Sequence, residues 1–88
     1  MIEVLKITEE IFQVTVTEDS ITTHKINLSE KVYENLSDSK IPKAELIIKS
    51  FEFLLERESN QSILKEFNLE TIELYFPDYP TLIKNYFN

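Results

Sequence analysis

PKAELIIKSFEFLLERE, residues 42–58, is the longest stretch of this chain with a single hydrophobic period. Ala44, Ile47, Ile48, Phe51, Leu54 and Leu55 recur at steps of three and four residues, which gathers them into one stripe and predicts a long central helix. Leu46 and Phe53 lie on a second line, so the helix is expected to touch neighbours on more than one side. Pro42 suits the first helical position, where its missing N–H has no partner to lose. At about 1.5 Å per residue such a helix is roughly 25 Å long, enough to cross a small domain.

Upstream of it the period changes. In IFQVTVT, residues 11–17, Phe12, Val14 and Val16 alternate with Gln13, Thr15 and Thr17, the pattern of a half-buried strand. In ITTHKINL, residues 21–28, His24, Ile26 and Leu28 share one face and Thr23, Lys25 and Asn27 the other. Glu18, Asp19 and Ser20 between them suit a hairpin turn. The β-branched-rich IEVLKI, residues 2–7, adds a third strand through a turn at residues 8–10. Ser29 is placed to cap a short helix, SEKVYENLSD, with Val32, Tyr33 and Leu36 facing inward.

Downstream, ILKEF (63–67) and LETIELYF (69–76) read as two short helical turns, and a last helix follows Pro80. Strands first and helices after predict one α+β domain over residues 1–88. It consists of a small antiparallel meander of two or three strands with three to five helices packed on one face, including the central helix at 42–58. Whether residues 2–7 pair within the chain or between copies is left open by the pattern.

Composition narrows the chemistry. An 88-residue domain buries only about 60–65% of the surface of its unfolded chain, and without cysteine it has neither disulfides nor thiolates to supplement that core. No apolar run approaches membrane-spanning length and the first residues lack a secretion-signal layout, so a soluble cytoplasmic protein with no membrane partner is expected. Sixteen acidic against nine basic side chains give a net charge of −7, spread along the chain, which repels phosphate backbones and disfavours nucleic acid. The absence of glycine removes phosphate-cradling loops.

His24 is the single histidine, so a general base or metal site would need it or the carboxylates. It shares a face with Ile26 and Leu28 and reads as a partly buried strand residue. Glu9 with Glu10, Glu18 with Asp19 and Glu56 with Glu58 fall at turns or helix ends and read as solvated charges. No catalytic, cofactor-binding or metal-ligating residue is expected, and no enzyme. The last fourteen residues are dense in aromatics, and Tyr79, Tyr86 and Phe87 are the candidate interface, since tyrosine and phenylalanine anchor contacts between proteins.

From His24 to Glu58 the order strand, capped helix, turn, long helix resembles the ribbon-helix-helix architecture of small dimeric DNA-binding regulators and antitoxins. That resemblance implies an intermolecular ribbon with Thr23, Lys25 and Asn27 as its base-reading face. The acidic charge and the absence of a flanking basic cluster make it the second reading. The run SFEFLLERE at 50–58, with SIL at 62–64, FNL at 67–69, Ile72 and YFPDY at 75–79, is similar to a family of small uncharacterised bacterial proteins, which implies a self-contained domain and no particular activity. The leading expectation is a non-enzymatic protein-interaction module that binds a protein partner or a second copy as a homodimer, without cofactor.

Overall fold

The computed structural model describes residues 1–87. Three strands form an antiparallel meander, β1 (Ile2–Lys6), β2 (Ile11–Thr17) and β3 (Ile21–Asn27). Val4 lies opposite Val14 and Val14 opposite His24, so all three share the face that carries the core. Both turns are made without glycine. Thr8 Oγ1 accepts from the N–H groups of Glu10 (3.2 Å) and Ile11 (3.0 Å), a hydroxyl standing in for a backbone acceptor.

Helix α1 (Glu30–Ser37) is capped by Ser29, whose hydroxyl accepts from Val32 N–H at 3.3 Å. It ends on Asp38 (φ 53°) and Ser39 (φ 57°), two left-handed residues where glycine is the usual choice. The Asp38 N–H reaches back to Glu34 O, and Ser39 N–H to Ser37 Oγ, so the turn keeps its donors paired. Lys43 then ties this corner together. Its ammonium pairs with Glu30, donates to Glu9 O at 2.9 Å and lies over the Tyr33 ring, and the bond to Glu30 raises its pKa.

The central helix, α2, runs Lys43–Leu55, shorter at both ends than the expected 42–58. Pro42 holds extended backbone (φ −61°, ψ 155°) just before it, and beyond Leu55 the N–H groups of Arg57 and Glu58 converge on Leu54 O in a closing turn. Leu46, Ile47, Phe51, Phe53 and Leu54 are buried in one core cluster with Phe12, Val14, Val16 and Ile26 of the sheet and with Leu28 just after β3. At about 25 cal/mol per Å², full burial of each such side chain contributes about 1.5–3 kcal/mol.

The sheet has a fourth strand that the pattern did not predict. Residues 63–67, expected to be helical, instead lead into β4 (Glu66–Asn68), which pairs parallel to β3. The parallel pairing follows from the long crossover through α1 and α2. A 3₁₀ turn (Leu69–Thr71) then runs into α3 (Ile72–Tyr75), and α4 (Tyr79–Lys84) closes the chain with Pro80 in its first turn. The helices cover one face, whereas Gln13, Thr17, Thr23, Lys25 and Asn27 on the other stand exposed.

Tyr79 sits inside this core. Ser50 Oγ donates to Leu46 O (2.7 Å), so its short contact with Tyr79 (2.6 Å) is made by the phenol donating to Ser50. Burial pushes the phenol's pKa well above its ordinary value. Phe53 and Phe76 pack edge to face beside it.

Candidate functional site: an open sheet edge beside a groove

The two outer strands end the sheet differently. On the β4 side, His24 and Asn60 bolt the chain to β3. His24 Nδ1 meets Leu64 O at 2.7 Å, and because a carbonyl only accepts, that nitrogen carries the proton. Nε2 then accepts from the Thr22 hydroxyl at 2.8 Å, whose oxygen in turn accepts from Asn60 Nδ2 at 3.1 Å. Asn60 also donates to Ser20 O at 3.0 Å, and Lys25 N–H to Lys65 O at 2.7 Å. His24 is therefore a structural residue, buried and satisfied, with its ring against Phe51.

On the β1 side, among the described residues, no further strand pairs with the sheet. Thr17 N–H donates to Met1 O (2.8 Å) and Ile7 N–H to Ile11 O (2.9 Å), which fixes the phase of the ladder. Odd-numbered residues point their N–H and C=O groups at β2, and Ile2, Val4 and Lys6 point theirs away. Those three residues present unpaired donors and acceptors in a row, the template on which another strand adds.

Beside the start of this edge lies a groove enclosing about 580 Å³, lined by Met1, Ile2, Ile48, Leu55 and Tyr86 and by the carboxylates of Glu18, Glu52 and Glu56. Ile48, Glu52 and Leu55 fall on one face of α2, at steps of four and three residues, and are its contribution to the wall. Tyr86 forms another part, held under the Lys49 ammonium at 5.6 Å. Among the described residues Glu18 pairs with the amino group of Met1, Glu52 with Lys49 and Glu56 with Arg57, all at 3.3 Å.

The candidate interface residues separate here. Tyr86 joins the groove and Phe87 is half-buried next to it in sequence, but Tyr79 is 0% exposed and offers no surface to a partner. Thr23, Lys25 and Asn27 do project outward from β3. However, β3 is paired along its length by β2 and at Lys25, Ile26 and Asn27 by β4, so at those three residues the intermolecular ribbon of the ribbon-helix-helix reading has no free edge. Lys25 also faces Glu66 at 3.8 Å, which offsets its positive charge.

A second, smaller cleft of about 140 Å³ opens between Leu54, Ile63, Phe67, Ile72 and Phe76, with Tyr75 at its wall. Its walls are mainly apolar, with Glu58, Ser62 and Thr71 supplying polar groups. Among the described residues no group of three histidine or acidic side chains is placed to hold a metal ion, and no helix is long and apolar enough to cross a membrane. No protein-family model, curated protein or solved structure matches the chain.

Proposed function

We propose that this chain is a non-enzymatic protein-interaction module that engages its partner by strand addition at β1, with partner side chains entering the groove against Tyr86. The observation that carries the reading is the outward row of N–H and C=O groups at Ile2, Val4 and Lys6. Main-chain hydrogen bonds along such a row supply affinity, and the neighbouring pocket supplies selectivity. Open edges this long are normally shortened, charged or covered, because an uncovered one recruits any available strand.

Val4→Pro tests this reading cleanly. The Val4 N–H faces away from β2, so proline removes a docking donor without removing a bond within the sheet. Wild-type and Val4→Pro chains, used as matched baits in lysate of the source cells, should differ by one or more complexes, the chain with itself included, that are lost in the variant. Identical complexes on both baits, or none on either, would overturn the reading.

A further inference from the structure

The edge, the groove and the outer face of β1 carry complementary features, and these say what occupies the edge. The inference rests on the strand-addition reading above. We propose that the occupant is a second copy of this chain, paired antiparallel β1 to β1 about a two-fold axis at Val4, so that two four-stranded sheets become one continuous sheet.

Three observations converge on that occupant. The first is the phase of the edge. Its outward-facing residues, Ile2, Val4 and Lys6, are spaced symmetrically about Val4. An antiparallel copy therefore places Val4 opposite Val4 and Ile2 opposite Lys6, each as a hydrogen-bonded pair, and every outward N–H and C=O of the strand finds its reciprocal. Such self-complementarity is what a two-fold contact demands.

The second is the apolar surface on the far side of the sheet. Leu5, on the face opposite Val4, is 57% exposed, and Met1 and Ile7 at the two ends of the strand are 73% and 53% exposed, where a monomer would place polar groups. In the Val4-centred register Met1 falls opposite Ile7 of the second copy, and Leu5 opposite Glu3. In that register the exposed apolar Met1 and Ile7 become cross-strand neighbours, twice over by the two-fold, which an arbitrary extended peptide would not supply.

The third is charge. Lys6 shares the helix-side face of β1 with Ile2 and Val4. The register sets Lys6 of the second copy beside Ile2, at the end of the strand where the groove carries Glu18, Glu52 and Glu56. Among the described residues Lys6 pairs with Glu9 at 2.8 Å, both side chains exposed, a pair weak enough for its ammonium to exchange to another carboxylate. The two-fold makes this contact twice. These local contacts oppose the repulsion between two chains that each carry −7.

The test is sedimentation velocity on the full chain over micromolar to millimolar concentration, together with spontaneous disulfide formation. Wild type should show a concentration-dependent dimer, and Val4→Pro should remain monomeric with an unchanged far-ultraviolet circular dichroism spectrum. Lys6→Glu should weaken the dimer at least about tenfold, and Lys6→Glu with Glu52→Lys should recover most of that loss, the behaviour of a specific charge pair. The chain has no cysteine, so Val4→Cys introduces a lone thiol at the axis. That thiol should cross-link to its own copy, whereas Thr23→Cys on the central strand should not. The cross-link reads the register even where the proline variant fails to fold.

A wild-type monomer at every concentration with no Val4→Cys cross-link would overturn the second-copy proposal. The strand-addition reading would survive that result if Val4→Pro still abolished a complex with another protein, and would fall with it if no complex were sensitive to proline. A dimer of unchanged strength in Val4→Pro would place the contact elsewhere and overturn the proposal.

Discussion

The two edges of one sheet are finished by opposite means. At β4 the outermost strand is three residues long and its approach is fastened by side chains: His24 to Leu64 O, Asn60 to Ser20 O and Thr22, and Phe51 stacked between His24 and Phe67. At β1 a five-residue strand is paired on one side, and among the described residues no strand pairs with its outward main chain. The comparison teaches where the protein has committed its specific polar contacts. Hydrogen bonds of His24 and Asn60 hold the chain leading into the short β4 against β3, whereas the longer outer strand β1 carries exposed apolar side chains and a groove beside it.

The difference can be broken from the closed side first. Phe51→Ala removes the ring that packs on both His24 and Phe67, and should destabilise the fold by about 3–5 kcal/mol in urea denaturation. Asn60→Ala should cost about 1–3 kcal/mol, because Ser20 O and the Thr22 hydroxyl lose a buried donor, and amide exchange should rise first around Lys25 and the β4 pairing. On the open side, Val4→Pro should cost no more than about 1–2 kcal/mol, chiefly lost packing of a half-buried valine, since no hydrogen bond within the sheet is broken. Lys25→Ala, which removes an exposed pair with Glu66 at 3.8 Å, should change stability by less than about 1 kcal/mol and leave any association untouched. The ordering itself is the prediction: main-chain edits at β1 are tolerated, and side-chain edits beneath β4 are not.

Alkaline pH sharpens the view of the core behind both edges. The raised pKa of Tyr79 means that the folded chain resists losing that proton while the unfolded chain releases it near its ordinary value of about 10. Stability should therefore fall as pH rises above about 10, and Tyr79→Phe should flatten that fall even if it costs some stability at neutral pH. An unchanged alkaline slope in the variant would remove Tyr79 as its source.

Much of this architecture was legible as periodicity. The alternation of Phe12, Val14 and Val16, and of His24, Ile26 and Leu28, marks strands because one face of each is buried, and the 44–55 stripe marks the central helix for the same reason. The fourth strand was not legible. Glu66–Asn68 is too short for a period, its neighbours Ile63, Leu64 and Phe67 fall at helical spacing, and its extended form is imposed by pairing with β3 and by His24, which lies 40 residues away from Leu64. Tyr79 and Tyr86 were equally aromatic in the sequence, and only the placement of Ser50 under the first separates core from surface. The outward row on β1 could not be read at all, because whether an edge is open depends on which strands pair.

The most direct test of the open edge is amide exchange followed by NMR as the concentration of the full chain is raised. The account predicts that the N–H groups of Ile2, Val4 and Lys6 exchange rapidly in dilute solution and become protected together as copies pair, while those of Glu3 and Leu5, already bonded to β2, hold constant. If Ile2, Val4 and Lys6 are protected at every concentration, the edge is not open. If they stay unprotected into the millimolar range, no second copy closes it.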